Sequence, residues 1–362
     1  MENEFNLSEY MSEGIENIIK NILKASIRNS KETAFVMKYM LESKRAKRKR
    51  DDLESVNEHI PPFLMASIAT NCNLHCKGCY ARANKSCGDN LKDSEMTVKR
   101  WGEIFTEAKE IGVSFILLLG GEPLIRKDVI EKAASVKEIA FPLFTNGTMI
   151  DEDYINLFDK NRNLVPMLSI EGNRVQTDNR RGVGTYNTLM SAMSNLNKKG
   201  ILFGGSITIT RENITTVTSK EFIESIYNKG ARAVVFVEYV PVTENTCKLA
   251  PTDKERLILE EKIAELRRVF ENMVFLSFPG DEKYAGGCLA AGRGFFHINA
   301  SGSAEPCPFS PYSDTSLKEG SLREALKSQL FRKLKENEML LGEHDGGCLL
   351  FEKEEEVKYL LK

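Results

Sequence analysis

The stretch NCNLHCKGCY, residues 71–80, carries three of the chain's eight cysteines at the spacing Cys72-x3-Cys76-x2-Cys79. Asn71, Asn73, Lys77 and Gly78 are loop formers, which places the thiols on a turn and not inside a strand. An odd number of thiols without secretory context argues against a disulfide. Structural zinc usually takes four ligands in C-x2-4-C pairs, whereas thiolates gathered on one loop also suit an iron–sulfur cluster. A cubane has four irons, so three cysteines would leave one iron open.

The rest of the composition narrows the setting. A chain of 362 residues has room for one large α/β domain and smaller additions. A net charge of −2 gives no overall pull toward nucleic acid. No apolar run reaches the roughly 18 residues of a membrane span, and MENEFNLSEY does not read as a signal peptide. Eight cysteines without secretion point to a reducing compartment and metal work, hence to a cytoplasmic protein that works without oxygen.

Residues 1–60 read as a separate helical segment, with Ile15, Ile18, Ile19, Ile22 and Leu23 at helical spacing. The run KRAKRKR, residues 44–50, is of a kind that can bind anionic lipid or nucleic acid, which makes membrane-surface contact through residues 1–60 an expectation and an RNA-binding module there its rival. A solvated helix end is the plainer reading. From residue 63 the pattern changes. Strands are expected at Phe63–Ala69, Phe115–Leu119, Phe141–Thr145, Val165–Ile170, Gly205–Thr210 and Ala233–Tyr239, with amphipathic helices between them. Alternating elements imply a parallel sheet, and six units are too few for a closed eight-stranded barrel. The expected fold is α/β, a partial (β/α)6 TIM-like barrel. The cysteine loop, GGEP (120–123), TNGT (145–148) and SIEG (169–172) each follow a strand. Parallel sheets bind ligands at the carboxyl ends of their strands, so these signals meet at one mouth.

The cysteine spacing with GGEP behind the next strand resembles the radical S-adenosylmethionine (radical SAM) enzymes over residues 63–245. The resemblance implies a [4Fe–4S] cluster on Cys72, Cys76 and Cys79, with S-adenosylmethionine chelating the open iron and cleaved reductively to a 5′-deoxyadenosyl radical. It implies cofactor contacts from Tyr80, Gly120, Gly121, Glu122, Pro123, Thr145, Asn146, Ser169, Glu171, Arg181, Thr208 and Val237. Among these, Glu122 would hold the methionine amino group, and Ser169 and Glu171 would lie near the ribose. An electron donor such as flavodoxin or ferredoxin is implied as a partner. The family often has an aromatic residue before the third cysteine; here that position is Gly78, and Tyr80 follows instead.

The stretch GCLAAGRGFFHINASGSAEPCPFSP carries Cys288 and Cys307, and Cys348 follows in HDGGCLLFE. FFHINASGSAEPCPF reads as a β-hairpin turning at 299–302. This looks like the start of the SPASM/Twitch extension of many family members, in its shorter Twitch form. The domains then read as 1–60, the barrel at 61–245, and a small α+β Twitch/SPASM-like subdomain at 246–362. The resemblance implies an auxiliary [4Fe–4S] cluster on Cys288, Cys307 and Cys348. Cys247 could be a fourth ligand, Cys87 reads as incidental, His297 as a packing residue, and His344 beside Asp345 could touch the auxiliary site. Glu238, Asp281 and Glu282 are candidates for taking a substrate proton.

The implied activity is hydrogen abstraction from an unreactive carbon of a small-molecule or membrane-associated substrate. A ribosomally made peptide or a protein side chain is the second expectation. An electron-transfer or scaffold protein would explain the cysteines but not the convergence of GGEP, TNGT and SIEG.

Overall fold

The computed structural model describes residues 5–27, 29–89, 95–341 and 347–362. Among these, nine strands form one sheet in the order β7-β6-β5-β4-β3-β2-β1-β8-β9. The strands are β1 (Phe63–Ala69), β2 (Phe115–Gly120), β3 (Phe141–Thr145), β4 (Leu164–Ser169), β5 (Gly204–Ile209), β6 (Ala233–Glu238), β7 (Val274–Phe278), β8 (His297–Ile298) and β9 (Ala304–Glu305). Neighbours from β1 to β7 are parallel, β8 joins β1 in parallel, and β9 turns back antiparallel on β8. The six expected strands are present, shifted by a residue at most at each end. β7 was not foreseen, and the sheet runs past residue 245 into the C-terminal region.

Alternation along the strands divides their side chains between two faces. Leu64, Ala66 and Ile68 of β1, Ile116 and Leu118 of β2, and Val234 and Phe236 of β6 are buried in the main core. Phe63, Met65, Leu117, Leu119, Val235, Val237, Leu276 and Phe278 face a central cavity instead. The outer helices start where the side chains dictate. Thr97, Asp151 and Ser219 each accept a backbone N–H of the first turn, and Thr252 with Glu255 forms a full capping box.

The N-terminal helices α1 (Leu7–Ser26) and α2 (Ser30–Glu54) pack on each other and on the barrel through Ile15, Ile19, Val36, Tyr39 and Ala140. α2 is fastened by long-range polar contacts. Glu32 pairs with buried Arg162, the Tyr39 hydroxyl donates to Ser114 O at 2.8 Å, and Arg50 donates to Gly112 O at 2.5 Å and Ser114 Oγ at 3.1 Å. The basic run is therefore partly engaged by the protein. Arg50 is only 3% exposed, Lys49 reaches Lys109 O, and Lys47 pairs with Asp51. No helix among the described residues is long and apolar enough to cross a membrane.

Removing the Arg50 side chain strands buried carbonyl and hydroxyl groups. Arg50→Ala is expected to destabilise the fold by about 1.5–3 kcal/mol in a denaturant melt. Arg48→Ala, at an exposed position of the same run, is expected to stay within about 0.5 kcal/mol of the parent.

Candidate active site

The cysteine loop is held from two sides. On one side the N–H groups of Gly121 and Glu122 donate to Ala69 O and Asn71 O, both at 2.8 Å. On the other, Lys77 N donates to Arg180 O at 2.9 Å. Arg82 folds back beneath, donating to the carbonyls of Cys72 and Leu74. Cys72, Cys76 and Cys79 are half-buried, and all three border the central cavity of about 440 Å3.

Polar hydrogens are aimed at these sulfurs. Leu74 N lies 3.5 Å and Asn146 Nδ2 4.0 Å from Cys72 Sγ, and Arg181 Nη1 lies 3.8 Å from Cys76 Sγ. The Cys87 thiol also hydrogen-bonds Cys72 and draws it toward the thiolate form that metals bind. Burial acts the other way on Cys76 and raises it. Cys87 is thus not incidental; it is buried against the loop, and its proximity to Cys72 had no sequence motif to announce it. Among the described residues no three ligating side chains close around a single metal ion. A lone zinc holds each sulfur about 2.3 Å from one centre, whereas cubane ligands bind different irons and stand further apart. Three thiols on one loop are the donor chemistry that an iron–sulfur cluster takes.

Glu122 is 1% exposed at the end of β2. One oxygen accepts Thr145 Oγ1 at 2.7 Å and Leu124 N at 3.0 Å; the other accepts Asn146 N at 2.8 Å. A carboxylate offers about four acceptor positions, so one remains. Burial raises its pKa to about 7. Tyr80, Gly120, Gly121, Asn146, Ser169, Arg181, Thr208 and Val237 also border the cavity. Thr145 stands behind Glu122, and Pro123 opens the turn Pro123–Arg126 beneath it. Glu171 is buried and pairs with Arg181 at 2.5 Å and Arg180 at 3.3 Å. Arg181 is therefore not a surface loop residue; it joins Glu171 to the thiol of Cys76.

The three acid candidates border the same cavity. Glu238 pairs with Arg256 at 2.6 Å and accepts Gly347 N. Asp281 pairs with Arg267 at 2.7 Å and accepts Ser277 N. Glu282 accepts Leu289 N at 3.0 Å, and burial raises its pKa to about 8. A further chain was not foreseen: Ser67 Oγ meets His297 Nε2 at 2.8 Å, and His297 Nδ1 meets Glu305 at 2.7 Å. His297 lies on β8, and only its pairing with β1 brings it to Ser67.

The C-terminal thiols also gather. Cys307 and Cys348 share a hydrogen bond, and Cys288 lies within electrostatic reach of both. Burial drives Cys288 and Cys307 well above the usual thiol range. The expected hairpin is β8–β9, closed by Gly302 N to Asn299 O at 2.9 Å. Cys247 is exposed. His344 and Asp345 lie outside the described residues. Tyr80 lies near both thiol groups, close enough for Cys79 and Cys307 both to act on its hydroxyl, and packs edge-on against Phe309 at 4.9 Å.

An open parallel α/β barrel with thiols, a buried acid and paired arginines at its strand ends is the architecture of a cofactor-dependent enzyme. Residues 66–226 match the family model of the radical SAM superfamily: the chain carries a radical SAM domain and is an enzyme. Enzymes of this family use a [4Fe–4S] cluster and S-adenosylmethionine. Over 308 residues the chain is 24% identical to the AdoMet-dependent heme synthase of Methanosarcina barkeri, covering 78% of this chain and 87% of that protein. It is 28% identical over 261 residues to the PqqA peptide cyclase of Rhizobium meliloti, covering 68% of each. The fold superposes on Streptococcus suis SuiB bound to precursor peptide SuiA with a TM-score of 0.61 at 17% identity, covering 82% of this chain and 70% of that one.

The raised pKa of Glu282 gives a pH test. An acid raised on folding adds stability that is complete below its unfolded value of 4.5 and is lost as pH rises through about 8. Glu282→Gln stays neutral and keeps an oxygen for Leu289 N–H. Its melting temperature is expected to decline less than the parent's between those two pH values.

Proposed function

We propose that Cys72, Cys76 and Cys79 hold the cofactor-cleaving cluster, that Cys288, Cys307 and Cys348 hold an auxiliary [4Fe–4S] cluster, and that the chain abstracts hydrogen from a carbon of a small molecule held in the barrel cavity. The observation that carries this reading is the meeting of three loop thiols, Glu122 and Arg181 on one apolar cavity. When bound, the first cluster supplies the electron that cleaves S-adenosylmethionine. The chain's own residues do the rest. The remaining acceptor position of Glu122 suits the methionine amino group, and Arg181 suits a carboxylate by a charge-assisted bond. Ser169, Thr208 and Val237 border the space for the nucleoside. The apolar wall below excludes water from a reactive radical. Tyr80, near thiols of both sets, supports a short path between the clusters.

A peptide substrate is the second reading. It is favoured by the relatives, of which one is named a peptide cyclase and another binds a precursor peptide. The heme synthase among them favours the small molecule. Mass spectrometry of anaerobic incubations with cell extract separates the two, since either a metabolite or a peptide changes mass.

Replacing Cys72, Cys76 and Cys79 together with Ala is expected to abolish 5′-deoxyadenosine formation under reducing conditions; undiminished cleavage would sink the assignment. Glu122→Ala is expected to weaken S-adenosylmethionine binding about ten- to a hundred-fold, as the loss of about 1.5–3 kcal/mol implies. The triple Ala variant at Cys288, Cys307 and Cys348 is expected to fall from about eight irons to about four, to keep cofactor cleavage, and to lose product formation. Unchanged iron content would make these cysteines core residues only. Circular dichroism and a melting curve exclude simple unfolding of a region that depends on its metal.

A further inference from the structure

The sheet does not close on itself. Among the described residues β7 has β6 as its only strand partner, and α1 packs against β7 and against the turn Gly280–Ala285 that follows it. Tyr10, Met11, Gly14, Ile15 and Ile18 of α1 thereby become part of the cavity wall. Tyr10, Gly14 and Ile18 are spaced at i, i+4 and i+8, so they form one ridge along the helix. Gly14 is a notch in that ridge.

Neither packing nor backbone conformation calls for glycine there. A Cβ added at Gly14 would meet no other atom within 4 Å, and Gly14 is not among the residues with positive φ. A glycine inside a helix costs about 1 kcal/mol relative to alanine. Gly14 is exposed, and what its missing side chain leaves is open space on a cavity that the apolar side chains of Phe63, Phe115, Leu276 and Phe278 also line. Asp281, on this side of the cavity, is already paired with Arg267. The charged groups Arg180, Arg181 and Glu122 line the cavity from beyond the carboxyl ends of β4 and β2.

We infer that Gly14 keeps the α1 side of the cavity open for an uncharged hydrocarbon or aromatic group of the substrate, and so sets how large a group the enzyme accepts. This rests on reading the cavity as the substrate chamber. The polar part of such a substrate faces the arginines, and its apolar part faces α1. A substrate that is polar throughout would leave this wall without a partner and would lose its own hydration on entry.

The test is a fluorescence titration of the full chain with N-phenyl-1-naphthylamine, a neutral apolar probe. The parent is expected to bind it saturably at about one equivalent. Gly14→Leu, which fills the notch, is expected to weaken binding at least about tenfold, or about 1.4 kcal/mol. Gly14→Ala is expected to weaken it a few-fold while melting higher than the parent, because alanine is the better helix former. That variant decides the matter if Gly14→Leu fails to fold. Parent-like affinity in the variants, or no saturable binding to the parent, overturns the inference. The titration needs neither iron nor S-adenosylmethionine, so failure of the cluster assignment would leave its result standing.

Discussion

The site depends on how closely two backbones approach at the end of β1 and β2. A Cβ at Gly121 would stand 2.2 Å from Asn71 O and 2.8 Å from Cys87 Sγ, and one at Gly120 would stand 2.6 Å from Ala69 O. Gly120 also takes a φ of +144°, which L side chains rarely adopt. Two glycines in succession let the β1–β2 pairing continue past the strands, with Gly121 and Glu122 donating into the cysteine loop. The thiols are thus held in fixed relation to Glu122, and through Glu122 to Thr145 and Asn146 of β3 and the residue after it. Any side chain at 121 would lift the loop off the sheet.

Polarity is graded along the cavity. Arg180, Arg181 and Glu171 form a buried charge group beyond the end of β4, while phenylalanines and leucines line much of the remaining wall. A buried ion pair often adds little net stability, because desolvation offsets the attraction. Its use here is placement. Glu171 fixes Arg181 so that the guanidinium also reaches Cys76, and Lys77 N to Arg180 O ties the same helix end to the loop. An arginine already aimed loses less conformational freedom when an anion arrives than a free surface arginine would.

The strands of the barrel were legible because alternation and apolar runs are local signals. So were the cysteine loop and GGEP, whose meaning lies in their order behind successive strands. What escaped reading depends on distant pairings. β7 is five residues with a half-exposed face, too short for its period to stand out. Cys87 meets Cys72 only after the segment 80–88 folds back to bridge Asn71 and Gly88. Ser67, His297 and Glu305 are joined by the parallel pairing of β1 with β8, 230 residues apart for the first pair. In KRAKRKR the sequence shows six basic residues in seven, but only packing distinguishes Arg50, which is buried, from Arg48, which is not.

An open barrel leaves two things to cover, a strand edge and the end of its lumen, and this chain covers them with segments from opposite ends of its sequence. β8 extends the sheet beside β1 and carries the hairpin that brings Cys307 toward Tyr80. α1 covers the side next to β7, and α2 holds α1 in place through Arg162, Ser114 and Gly112. Phe63 joins the two arrangements: its ring stacks on Phe115 of β2 at 4.8 Å and on Phe295, just before β8, at 5.1 Å. Phe295 in turn meets Phe278 of β7 edge-on at 5.8 Å. The gap between β7 and the β1–β8 side of the sheet is therefore bridged by aromatic rings, which fill space without needing the ladder of backbone hydrogen bonds that a strand would require. A strand in that position would have closed the barrel and packed its lumen with side chains. Rings and a helix close the side while leaving the interior open, and an open interior is what a substrate chamber requires.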